Sequence, residues 1–431
     1  MGTSTHCLFK QIEICQVKNY NESGFRCAQI MSEIKCDLFK KGGARMAGVS
    51  IEIQPDILNW VMQKLQFQDV GKSIFDILRE WQSGEKVPTF NQIEDVSKKT
   101  NIPLGYFFLE VPPIDDCEII DFRTVNSISV DNPSRNLIDT VDAMSSVQEW
   151  MIDYYKTNGN EPFSYVGKFT DKVQAKTIAL DIRKELGLDE EWFLSGKNAA
   201  DSFRIAREAI ENIGVLVMAN GVVGNNTHRK LDVNEFRAFT LLDKQVSLIF
   251  INSCDTDNGK IFSLFHELAH VWLGKDSFYN EPFGSTAVVS KLEVLCNAVA
   301  AELLVPDDIF DQKWNENQQE IFEKIQELAK YFRCSRFVIT RRALDQNKIS
   351  SDKYGAIVQE LVKQSKRSLE NAKKRSGGDF YRNLNSKWDK NFVAALAQST
   401  ESGKTLYTDA YHLTGTTGKT FVELVNRSGG V

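Results

Sequence analysis

Ile261-Phe262-Ser263-Leu264-Phe265-His266-Glu267-Leu268-Ala269-His270-Val271-Trp272-Leu273-Gly274 is the run from which the rest of the chain is read. Its apolar residues predict a helix, and Gly274 is placed to stop it. Positions i and i+4 share a helical face, so His266 and His270 can aim two imidazole nitrogens at one ion. Glu267 lies about 100° further round and can flank that ion without ligating it. This is the HExxH arrangement, in which the two His bind zinc and the Glu serves as general base. The remaining positions are apolar, so one side of the helix is expected in a core and the metal site in a cleft beside it.

Catalytic zinc takes three protein ligands and keeps one position open. The next predicted helix, Ser290 to Pro306, offers the third in Glu293, 23 residues after His270. Asn297, four residues further on, shares its face and is placed to support a ligand from behind. Glu302 is nine residues beyond Glu293, about 180° round, and so belongs to a different environment. Glu293 has a competing reading, because Ser290-x-x-Glu293 is also a capping box. Glu281, in a Pro/Gly loop, is the alternative third ligand.

Outward from this pair of helices, residues 1–45 read as an extension of unclear status. They hold four of the eight Cys (Cys7, Cys15, Cys27, Cys36) without CxxC spacing, and Met46 is an alternative start. Residues 46–125 read as a compact helical unit. Asp56 caps a helix through Gln66, and further helices are expected over Ser73–Trp81 and Thr89–Asn101. Residues 126–160 carry a long linking helix beginning near Pro133. A domain over 161–315 contains helices at Asp171–Leu186 and Ala200–Ile213 and a strand at Val215–Met218. Its hairpin, Phe236–Leu242 and Val246–Ile251, turns at Asp243-Lys244-Gln245. Residues 316–362 form a small helix-turn-helix-like subdomain, with Arg333, Arg336, Arg341 and Arg342 either contacting nucleic acid or forming a solvated basic face. A basic linker is expected at 363–378 and a C-terminal helical domain at 379–431. The fold class is α+β, mostly helical, with a small antiparallel sheet packed on a zincin-type active-site helix.

FHELAHVWLG followed by LEVLCNAVAAELLVP resembles the ImmA/IrrE family of cytoplasmic zinc metallo-endopeptidases, whose second helix reads E-x-x-A-N-x-F-A-A-x-L-L-x-P. The resemblance implies that His266, His270 and Glu293 are zinc ligands and Glu267 the catalytic base. Cys296 stands where the family has Ala and Val299 where it has Phe. The stretch from Glu80-Trp81 to Phe107-Phe108 is similar to the Xre-type helix-turn-helix domain often fused to these peptidases, and Asp121-Phe122-Arg123-Thr124 to its junction. The implied substrate is an Xre-type transcriptional repressor, or an antitoxin or toxin encoded nearby. The alternative is a non-proteolytic regulator or antitoxin that binds protein or DNA and keeps a structural or vestigial zinc site.

The balance of 52 Lys+Arg against 58 Asp+Glu gives a net charge of −6, which argues against wholesale coating of nucleic acid. In the N-terminal helices Lys64, Lys72 and Arg79 face Asp69, Asp76 and Glu80, so DNA binding there is the weaker expectation. No run approaches the roughly 18 apolar residues of a membrane span, and no secretory signal is visible, so a cytoplasmic chain with reduced thiols is expected. His228, Arg237 and Tyr279 are candidates for stabilising an oxyanion. The edge of the 236–251 hairpin is a candidate docking edge for an extended substrate.

Overall fold

The computed structural model describes residues 50–65, 72–112, 133–275, 277–279, 290–316, 319–372 and 386–427. The four N-terminal Cys, Glu281, the 121–124 junction and the last six residues of the expected basic linker lie outside these residues. The chain divides into two units, one of residues 1–117 with 132–135 and one of residues 118–131 with 136–431.

The first unit is built on helices α1 (Pro55–Leu65), α2 (Lys72–Gln82) and α3 (Phe90–Thr100) and a 3-10 turn at Leu104–Phe108. Ile57, Val61 and Leu65 line one face of α1 and meet Leu78, Ile93, Val96 and Phe107 in a buried core. Asp56 lies inside the first turn of α1 and Pro55 opens it, as suits a residue lacking an N–H. At α3, Thr89 is the N-cap of a complete capping box with Gln92.

Helix α4 (Arg135–Thr157) belongs to the second unit from Asn136 onward. It does more than link. Gln148 Nε2 donates to the carbonyls of Leu241 and Val246, 2.8 and 2.7 Å away, and so closes the turn of the predicted hairpin. Helices α5 (Ala175–Leu186) and α6 (Ala199–Asn212) follow. The first starts four residues later than its apolar pattern suggests.

The strands are β1 (Leu216–Asn220), β2 (Val222–Val223), β3 (Asn226–Lys230), β4 (Ala238–Leu241), β5 (Leu248–Asn252) and β6 (Ser277–Tyr279). Four of them form a sheet in the order β1-β5-β4-β6, while β2 and β3 make a separate pair. The predicted hairpin is β4–β5, antiparallel, with Thr240 opposite Ile249. The sheet differs from expectation in two ways. It is mixed, because β5 returns parallel to β1, with Val217 opposite Ile249. And the hairpin has no open edge, because β1 covers β5 and β6 covers β4, with Ser277 opposite Thr240. Strand addition to the hairpin itself is therefore not available in this conformation.

Helix α7 (Asp257–Leu273) carries the HExxH run. Thr256 caps it by accepting from Gly259 N–H at 3.1 Å. Gly274 ends it in the left-handed region at φ 63°. A Cβ at Gly274 would come within 2.8 Å of Gly167 Cα, so a second reason for glycine is the close passage of the 167–169 backbone. That backbone donates to the carbonyls of Val271 and Trp272 at the helix end. Every residue from Ile261 to Leu273 is buried, so the helix is enclosed on all sides instead of having one face to a cleft.

Helices α8 (Lys291–Leu304), α9 (Asp307–Glu316), α10 (Ile321–Tyr331), α11 (Arg336–Asp345) and α12 (Ser351–Ala372) complete this core. Ile325, Leu328, Phe332, Val338 and Ile339 share one apolar cluster with α7 and α8, so α10 and α11 pack as part of the same core. Helix α12 runs to Ala372 and takes up the first ten residues of the expected linker. The arginines of this region are engaged within the chain. Arg342 is buried, Arg341 pairs with Asp345, and Arg333 donates to the carbonyl of Gly196.

The C-terminal helices α13 (Lys390–Glu401), α14 (Tyr407–Thr414) and α15 (Gly418–Arg427) dock on the sheet through their entry segment. Asp389 is fully buried, caps α13, and accepts from Val217 N–H of β1 at 3.0 Å. Arg207 binds the carbonyls of Val217 and Trp388, and Trp150 of α4 meets Phe392 edge-on. Among the described residues no helix is long and apolar enough to cross a membrane.

Candidate metal centre

Two helix ends and one strand build the site. Helix α7 supplies His266, Glu267 and His270, each with no exposed surface. Helix α8 packs against α7 and supplies Glu293 from its first turn and Asn297 one turn later. Ser290, the N-cap of α8, accepts from the Glu293 N–H at 3.1 Å. Only half of the capping box forms in this way. The Glu293 carboxylate turns away from the cap, placing one oxygen 3.0 Å from His266 Nε2 and the other 3.4 Å from His270 Nε2.

The two Nε2 atoms are themselves 3.2 Å apart. One ligand atom from each of His266, His270 and Glu293 falls within 4.8 Å of the other two. His266 Nδ1 lies 2.9 Å from Asn297 Oδ1. With Oδ1 accepting, Nδ1 carries the imidazole proton, and the Nε2 lone pair faces the centre of the group. Two imidazole nitrogens and a carboxylate converging on one buried point make a donor set that could hold a cation. Their number and type fit zinc with a fourth position left over. Burial works to raise the pKa of Glu293, but the two imidazoles facing it outweigh this and hold the carboxyl well below the usual range.

Glu267 is placed from the other side. Its Oε2 accepts from the hydroxyl of Thr240, on β4, at 2.6 Å. Thr240 is wholly buried. It has no counterpart in the sequence reading. The available signal is a hydroxyl in a strand otherwise apolar, four residues beyond Phe236.

The remaining sequence candidates fall elsewhere. Glu302 sits away from the ligand group, as its helical angle requires, in a buried ion cluster. Arg342 reaches it at 3.1 Å and Asp307 at 2.7 Å, and also donates to the carbonyl of Val305. Burial raises the Glu302 pKa, with Arg342 opposing. Arg237 is held by Asp255 at 2.5 Å. His228 is exposed on β3. Tyr279 lies on β6, and its side chain is outside the described residues. Glu293 keeps slight exposure and its neighbour Val294 is 53% exposed, so the ligand group lies nearest to solvent where α8 begins.

Residues 210–344 match the family model Peptidase_M78, described as an IrrE N-terminal-like domain. The matched span begins at the end of α6 and ends within α11, and it holds the whole sheet, α7 and α8. Residues 388–427 match a second family, described as a domain of unknown function (DUF8813). That span coincides with α13–α15 and the buried Asp389 that anchors them. The curated proteins contain no match to the chain. The first match supports a relationship of this part of the chain to the ImmA/IrrE peptidases and suggests a metallopeptidase fold.

Proposed function

We propose that the chain is a zinc-dependent endopeptidase, with His266, His270 and Glu293 as metal ligands and Glu267 as general base. One observation carries this reading: the three ligand atoms converge from two helices, and the HExxH glutamate lies one residue from the first of them. A zinc ion bound there supplies Lewis acidity, which acidifies a water and polarises a peptide carbonyl. Glu267 takes the proton of the attacking water and passes it to the leaving amine. Asn297 holds His266 in one tautomer, so its Nε2 is available as a donor without rearrangement.

The substrate class follows from the family resemblance: a transcriptional repressor or antitoxin, cut to change gene expression. Peptide hydrolysis in a protein substrate needs an extended segment; among the described residues no strand pairs the outer edge of β6, whereas Val217 on the far edge of β1 is already bound by Asp389 and Arg207.

The test is metal content and cleavage together. Purified protein should carry close to one zinc per chain, and replacement of both His266 and His270 by Ala should remove it. Incubation with the product of the adjacent gene, with and without chelator, should give chelator-sensitive cleavage. Glu267→Gln should keep the zinc and lose the cleavage. An active Glu267→Gln variant would overturn the assigned base, and a zinc-loaded chain that cuts no neighbour product would favour the non-proteolytic regulator.

A further inference from the structure

We propose that Thr240 is a positioning residue that holds the carboxylate of Glu267 through its hydroxyl, an inference that rests on the peptidase reading of the same site. The face of the sheet packed on α7 is formed by Val217 and Ala219 of β1, Ile249 and Ile251 of β5, and Ala238 of β4, all within one apolar cluster. By strand alternation, Thr240 shares the face of Ala238. Among the residues that β1, β5 and β4 place on that face it is the polar one, and it has no exposed surface.

Burying a hydroxyl without a partner is costly, and valine would fill the same space at no such cost. Both hydrogen bonds of the Thr240 side chain go to Glu267. One is to Oε2 at 2.6 Å and a longer one is to the backbone carbonyl at 3.4 Å. The single hydroxyl proton is directed to the shorter contact, so Thr240 donates and the carboxylate accepts. The terminal torsion of a glutamate is broad, and a bound oxygen narrows it. The donor is itself rigidly held, because β4 is paired on both sides, with Ile249 opposite Thr240 in β5 and Ser277 opposite it in β6. The orientation of the Glu267 carboxylate is therefore fixed by the sheet through Thr240.

The test uses the full-length zinc-loaded chain, Thr240→Val, which keeps the shape, and Thr240→Ser, which keeps the hydroxyl. With fluorescein-labelled casein and with the adjacent gene's product as probes, Thr240→Val is expected to lower kcat, by up to on the order of 100-fold. KM and zinc content should be unchanged, and Thr240→Ser should recover most of the rate. Thr240→Val with wild-type kcat overturns the proposal, as does an equal loss in Thr240→Ser. Failure of the wild-type chain to cut either probe counts against the peptidase reading alone. The contact is then judged by thermal unfolding of Thr240→Val, Glu267→Ala and the double variant. Non-additive midpoint shifts support the contact, and additive shifts overturn it.

Discussion

His266 Nδ1 and Asn297 Oδ1 are 2.9 Å apart, across two helices and 31 residues of sequence. The contact sets which nitrogen of His266 faces Glu293 and His270. Asn297→Ala should therefore weaken zinc binding by roughly 10- to 100-fold without removing a ligand. Asn297→Asp, which still accepts from Nδ1, should retain most of the affinity. Competition with a chromogenic chelator measures both.

Ser290 and Glu293 separate the capping role from the ligand role. Only the Ser290 half of the box is made, and the Glu293 carboxylate points at the two histidines. Ser290→Ala should cost about 1 kcal/mol of stability and leave zinc content unchanged. Glu293→Ala should lose the zinc. Parallel unfolding curves and metal analysis distinguish the two effects.

Arg342 is the shared cation of a buried cluster, facing Glu302 and Asp307. Arg342→Ala strands Glu302 in the core and should destabilise by about 3–5 kcal/mol. Arg342→Lys should also destabilise, because the fork that reaches both carboxylates and the Val305 carbonyl is lost. Urea midpoints test both. If either variant has wild-type stability, the cluster does not hold α8 to α11.

Asp389 links the C-terminal helices to β1. Burial pushes its pKa up to about 7, with Glu211 adding to the rise; the Val217 and Phe392 amides and Arg207 oppose it. An aspartate of unfolded pKa about 3.9 thus takes up a proton on folding between roughly pH 4 and 7. Its contribution to stability is fully present at the acid end of that window and is lost as pH rises through about 7. The stability difference between wild type and Asp389→Asn should fall across that interval and flatten above it. A pH-independent difference in thermal midpoint would show that Asp389 folds in its ionised form.

Much of the candidate centre is legible in the sequence. The i, i+4 spacing of His266 and His270 is a property of helical geometry, and Gly274 marks the end of that helix by its backbone freedom. Glu293, Asn297 and the exclusion of Glu302 follow from angles around a second helix. The hairpin turn at Asp243 was equally local. Less legible were the features that depend on which segments meet. The parallel β1–β5 pairing joins strands 32 residues apart, and β6 is only three residues long. The count of basic residues near Arg342 suggested a surface, yet that side chain lies in the core.

By itself, the sequence determined the helical register of His266, His270 and Glu293 and the caps and stops of their helices, because these depend on neighbours within a few residues. Only the tertiary structure decided that the Glu293 carboxylate turns to the histidines and away from its own cap. It alone placed Thr240 under Glu267, and it alone closed β4 with β6. These outcomes depend on the packing of α8 and the sheet against α7, where burial makes each unpaired polar group costly and so selects its partner.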